Sequence, residues 1–144
     1  MIEINALTQK NADEVLEMMR VFYASEAVFT NGSEEIFRRN VELCVVGDPY
    51  IEGYVFMENG VVLGYAMAAK SYSTEFGKHC IWIEDLYLKP EFCNKGIGSE
   101  FLKFIEAKYP SHLLRLEVET ENERAVHVYR KNGFDVLPYT EMKK

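Results

Sequence analysis

Between Cys80 and Lys108 the chain passes from a run of β-branched and aromatic residues, through a turn with two glycines, into an amphipathic helical pattern. That succession is the most informative segment of the chain. Cys80 to Leu88 (CIWIEDLYL) predicts a strand stopped by Pro90. From Ile97, Phe101, Leu102, Phe104 and Ile105 recur at helical spacing opposite Glu100, Lys103, Glu106 and Lys108, up to Tyr109-Pro110. A strand feeding a glycine turn that opens a helix aims unpaired backbone N–H groups and the positive end of a helix dipole at one point, which suits a phosphate or pyrophosphate. Asn94, Lys95, Gly96, Ile97, Gly98 and Ser99 form that candidate anion loop, with Lys95 adding positive charge. Two familiar glycine loops fit poorly. No Gly-Lys-Ser/Thr is present, and Phe101 stands where the dinucleotide fingerprint has its third glycine.

The remaining chain surrounds this unit with further strands and helices. Residues 1 to 7 alternate as a short strand, and Asn11-Ala-Asp-Glu14 has the spacing of a capping box that starts a helix running to about Tyr23. A second helix begins at Ser33-Glu34-Glu35, turns Ile36, Phe37, Val41 and Cys44 inward and closes at Gly47-Asp48-Pro49. Ile51 to Met57 and Val61 to Ala69 read as a hairpin, because the Asn59-Gly60 pair joining them tolerates positive φ. After the glycine-turn helix come a strand over Leu113 to Val118, a helix capped by Asn122 and ended by Asn132-Gly133, and a last strand over Phe134 to Met142. The expectation is one α/β domain over residues 1 to 144, with a mixed, mainly antiparallel central sheet flanked by helices in the order β-α-α-β-β-β-α-β-α-β.

Two carboxylates stand on the strand before the glycine turn. Simple alternation puts Trp82, Glu84, Leu86 and Leu88 on one face and Ile81, Ile83, Asp85 and Tyr87 on the other. A carboxylate among apolar neighbours must be paired, shift its pKa upward or open to a cleft, and the last two make a general base. Downstream, Asn122 and Tyr129 are two helical turns apart and share a face with Ala125 and Val126, where the small residue leaves room for a ligand.

Composition narrows the classes of function. With 16 basic against 23 acidic side chains the formal charge is -7, the wrong sign for a phosphate backbone and the right one for small cations. No nucleic-acid partner is expected. Hydrophobic runs fall far short of the ~20 residues of a membrane helix, and residues 1 to 20 read as strand plus helix rather than export signal, so the expectation is a cytoplasmic protein with no membrane partner. Cys44, Cys80 and Cys93 are widely spaced and the histidines do not cluster beside them; no metal site is expected.

These segments together resemble the GNAT superfamily of N-acetyltransferases, over the chain from Met1 to its end. Cys93-Asn-Lys-Gly96-Ile-Gly98 corresponds to that family's Arg/Gln-x-x-Gly-x-Gly/Ala pyrophosphate loop, and Asn122-x-x-Ala125-x-x-x-Tyr129-x-x-x-Gly133-Phe134 matches its second pattern. Cys93 replaces the usual Arg or Gln, which should weaken a backbone-built site rather than abolish it. The stretch Ile83-Glu-Asp-Leu-Tyr87 further resembles the strand of spermidine/spermine acetyltransferases.

The resemblance implies acetyl-coenzyme A as cosubstrate, held by the 94–99 loop, by backbone groups of Leu86, Tyr87 and Leu88 and by Asn122. It implies Glu84 as base, with Asp85 the alternative, and Tyr129 as acid. It implies direct transfer to a primary amine of a small molecule, with Tyr23, Glu26, Glu75, Phe76 and Asp85 flanking the acceptor and a polyamine as one acceptor class, in a homodimer. Two other readings start from the same residues. One is a coenzyme A binding module with little or no turnover, and the other an acetyltransferase acting on a peptide or protein amine. A nucleotide-binding protein is disfavoured by the absent lysine and third glycine.

Overall fold

The computed structural model describes all 144 residues. Five strands form one sheet in the order β1 (Glu3–Ala6), β2 (Ile51–Glu58), β3 (Val61–Ser73), β4 (Lys78–Leu88) and β5 (Leu113–Leu116). Neighbours are antiparallel up to β4, and β5 runs parallel to β4 because the chain reaches it through a helical crossover. The mixed, mainly antiparallel sheet flanked by helices is the architecture expected from the sequence.

Helices cover both faces, which explains why β2 and β3 read as nearly continuous apolar runs rather than alternating ones. On one face, α1 (Ala12–Tyr23) and α2 (Glu34–Val46) bury Val15, Met19 and Phe37 against Val55, Tyr65 and Met67. On the other, α3 (Ile97–Lys108) buries Phe101 and Ile105 against Phe56, Ala66 and Ile81, and α4 (Glu123–Lys131) lays Tyr129 at its edge. Phe101 is fully buried, with its ring 5.3 Å from that of Phe56 and 5.6 Å from that of Tyr54. At the far end of this layer Glu52 accepts from Tyr54, Tyr109 and Lys108 and pairs with Lys70, tying β2 and β3 to the end of α3.

Asn59 and Gly60 take φ of 51° and 77° and close the β2–β3 hairpin as their chemistry predicts. Three local expectations are corrected. The capping box at Asn11 does not form, because a tight turn over Gln9–Asn11 precedes α1 and leaves Asn11 in helical backbone with no side-chain cap. Ile36 faces solvent at 53% exposure, whereas Phe37 and Val41 are buried and Cys44 is half-buried. The last strand is absent. Pro138 interrupts the run, β5 offers only four residues, and Val136, Tyr139 and Met142 are exposed. The segment from Phe134 is anchored instead by the Phe134 ring against Tyr129 and by Tyr139 Oη donating to Glu75 at 2.5 Å.

Candidate active site

The sheet opens where the site is built. β4 pairs with β3 along its length to Leu88, but with β5 only from Cys80 to Ile83, the last pair being Ile83 with Leu116. Beyond Ile83 the outer edge of β4 has no partner strand, so backbone groups in the stretch that holds Leu86, Tyr87 and Leu88 face an opening. This opening lies at the carboxyl ends of two parallel strands, where α/β folds commonly receive ligands.

Glu84 marks the start of the split. Opposite it the β3 register slips, Met67 pairing with Asp85 and Ala68 with Ile83, so that Glu84 is the extra residue of a β-bulge. The alternation expected from the sequence therefore fails at this point. Ile81 and Ile83 pack on the α3 side and so do Leu86 and Leu88, although their numbers differ in parity. The bulge resets the faces, and such insertions re-aim a side chain beside functional sites. Protein packed around the Glu84 carboxyl pushes its pKa upward, and the like charges of Asp85 and Glu141 add to the rise.

Asp85 goes the other way. It is 3% exposed on the α1–α2 face, where it accepts from Tyr23 Oη and Tyr65 Oη, each at 2.7 Å. Burial pushes its pKa above the ordinary aspartate value, and the two tyrosine hydroxyls offset part of that rise by favouring the carboxylate. With the side chain buried and both oxygens occupied, Asp85 does not meet the expectation of an acceptor ligand. Tyr23 is likewise engaged with Asp85.

The glycine turn sits below the opening. Cys93 folds back, its thiol directed at the carbonyls of Leu88 and Lys89 at 3.8 and 3.7 Å. Asn94 and Gly96 adopt left-handed backbone with φ of 63° and 78°, and at Gly96 a Cβ would strain the turn although nothing would obstruct it. The first amide bonded back from α3 is that of Glu100, to Gly96 at 3.0 Å, so those of Ile97, Gly98 and Ser99 point out unpaired at a helix start that has no side-chain cap. A Cβ on Gly98 would meet only Leu86, at 4.0 Å. The space over these amides is open, and donors with this geometry bind phosphate oxygens.

α4 closes the third side. Asn122 Oδ1 caps it through the Ala125 amide at 3.3 Å, which leaves the Asn122 amide protons unbonded. At its other end Asn132 Nδ2 donates to Ser99 Oγ at 2.9 Å, stitching α4 to the first turn of α3. Ser99 thus offers its backbone N–H rather than its side chain. The Tyr129 hydroxyl makes no hydrogen bond within the protein, and burial raises its pKa, so it remains a proton donor at neutral pH.

Tyr129 lines a cleft of about 690 Å³ shared with Trp82, Arg115, Glu117 and Glu141. The Arg115 guanidinium lies 4.6 Å above the Trp82 ring. The Glu117 carboxyl stands beside that of Glu141, and this neighbour, with burial, raises Glu117 to about 7. Phe76 borders the cleft, Glu75 is held by Tyr139, and Glu26 stands exposed in the connection after α1 without a partner.

Sequence reasoning missed Glu117 and Glu141. Glu117 was within reach, since it follows the last paired residue of β5 as Glu84 follows that of β4. Glu141 carried no signal, because its position depends on how an irregular segment folds back.

The acetyltransferase (GNAT) family model matches residues 14–134. Bovine (Bos taurus) thialysine N-epsilon-acetyltransferase is 37% identical over 83 residues, which is 56% of this chain and 48% of that protein. The chain thus spans about half the length of the curated relatives it matches. A possible acetyltransferase from Clostridium difficile 630 superposes with a TM-score of 0.84 at 19% identity, covering 100% of this chain and 97% of that one. The aminoglycoside acetyltransferase AAC(6')-Iy, solved with a coenzyme A–acetylneamine bisubstrate analogue, gives 0.82 at 13%, covering 100% and 97%. At such identities the two structures speak for the fold, whereas the family match extends over most of the chain: this protein belongs to the GNAT acetyltransferase family.

Proposed function

We propose that the chain transfers the acetyl group of acetyl-coenzyme A to a primary amine of a small cationic molecule. The observation that carries this reading is the split between β4 and β5 after Ile83, flanked by the free amides of Ile97, Gly98 and Ser99 and by Tyr129. The amides suit the pyrophosphate, and the unpaired edge of β4 at Leu86 to Leu88 suits the amide-bearing pantetheine arm and the thioester.

The chemistry needs a neutral amine, a polarised carbonyl and a protonated leaving group. Glu84, its basicity raised by its surroundings, takes the proton of the attacking nitrogen directly or through a water. The new C–N bond forms as the C–S bond breaks, and the departing thiolate takes the Tyr129 hydroxyl proton. Holding both reactants in one opening supplies much of the rate.

The cationic acceptor rests on charge. Glu84, Glu117 and Glu141 converge on one another, and the chain carries -7 overall. Trp82 and Phe76 border the same cleft and offer apolar surface to a methylene chain or a ring face to an ammonium, worth about 0.5 to 2 kcal/mol each. The bovine relative's thialysine is a small amine of this kind. Thiol release from acetyl-coenzyme A across polyamines, diamines, aminoglycosides, amino acids and peptides tests the proposal. Turnover confined to peptides would move the acceptor to a protein amine, and tight coenzyme A binding without turnover of anything would leave a binding module.

A further inference from the structure

Asp85 is the only carboxylate among the buried residues, and it joins three elements. Tyr23, the last residue of α1, donates to Oδ1, and Tyr65 of β3 donates to Oδ2. Each hydroxyl has one hydrogen and no other acceptor in the protein, so only an ionised Asp85 lets both donate. Proton transfer to the carboxylate would leave one donor unpaired in a buried setting, a costly arrangement. The half-buried Cys44 thiol of α2 faces the same charge and is pushed up to about 12 by burial and by Asp85.

The bulge puts this fixed anion next to Glu84. The β3 register slips between Met67 and Ala68, directly opposite, and Met67 is the residue that pairs with Asp85. We infer that Asp85 is a positioning residue, which, held as an anion between Tyr23 and Tyr65, fixes the bulge that turns Glu84 toward Glu117 and Glu141 and keeps Glu84 a proton acceptor. The inference rests on the reading of Glu84 as the base. It gives Asp85 a role that needs no contact with either substrate. Other groups facing Glu84 are Tyr23 from α1, Glu117 beyond β5 and Glu141 from the C-terminal segment. Beside these, Asp85 is the buried group, and the only one that accepts from two tyrosine hydroxyls.

The test follows the Glu84 carboxyl itself, by carbon-13 NMR titration of glutamate-labelled protein with Glu84→Gln identifying its signal. The unaltered protein should show a midpoint above the ordinary glutamate range. Asp85→Asn should lower it by about one pH unit or more, the size of an interaction between neighbouring charges in a partly desolvated setting. Tyr23→Phe, which removes one donor, should lower it less. Glu141→Gln should also lower it, without disturbing the tyrosine pair. An unshifted midpoint in Asp85→Asn overturns the inference, and if that variant does not fold, an unshifted midpoint in Tyr23→Phe does so. Acetylation of amines by the unaltered protein separates the two claims. A shifted midpoint without any turnover rejects Glu84 as base while Asp85 keeps its hold on it, whereas turnover with an unshifted midpoint rejects the role of Asp85 alone.

Discussion

Among single residues, Glu84 and Tyr129 would divide the proton traffic under the proposed mechanism. A raised carboxyl pKa means that the folded protein holds the Glu84 proton more tightly than the unfolded chain does. The rate should therefore fall as pH drops through that raised value, and in Glu84→Gln the acidic limb should vanish and turnover fall by roughly 10²-fold or more. A pH–rate profile that keeps its limb in the variant rejects the assignment. Stability carries the opposite sign. Ionising Glu84 costs the native state free energy above its folded pKa and costs nothing below the unfolded value, so Glu84→Gln should melt higher at neutral pH and match the parent in acid. For Tyr129→Phe, turnover should drop while coenzyme A affinity stays within about twofold, since only a hydroxyl is lost; equal turnover at every pH would make Tyr129 a core aromatic. Both residues stand out in the sequence as candidates. The direction of Glu84 was not, because a bulge is a property of the register with β3, and alternation along one strand cannot reveal a slip in its neighbour.

Among the elements, the turn into α3 does the most with the least side chain. Its donors are backbone amides, which explains how Cys93 can stand where Arg or Gln is usual: the thiol satisfies carbonyls of its own turn and leaves the amides free. Gly98 is not needed for its backbone conformation; its value is the empty space beside Leu86. Gly98→Val should thus leave the fold intact and raise the acetyl-coenzyme A requirement at least tenfold, with little change in the acceptor requirement. Unchanged coenzyme A affinity in calorimetry would remove the loop from the site. Elements with their own local signals, such as the Asn59-Gly60 hairpin and the helices capped by Ser33 and Asn122, could be read from the sequence because the determining contacts lie within a few residues. The final strand could not. Phe134 to Met142 has strand-like composition, but strand formation needs a partner edge, and four-residue β5 does not supply one past Pro138.

Over the whole molecule, the charge of -7 and the convergence of Glu84, Glu117 and Glu141 predict steering of a cation. Catalytic efficiency toward a diamine or polyamine should fall as salt rises, because the Debye length is about 8 Å near physiological ionic strength. Equal efficiencies for spermidine and a neutral amino acid at low salt would remove the cationic acceptor and leave the acetyl transfer in place. Mass spectrometry of the amine panel after incubation with acetyl-coenzyme A tests that transfer. The expected product is one added acetyl group on a primary amine, formed together with free thiol by the unaltered protein and nearly abolished in Glu84→Gln. Coenzyme A bound tightly with no acetylated amine anywhere in the panel, or product formed equally well by Glu84→Gln, would contradict it.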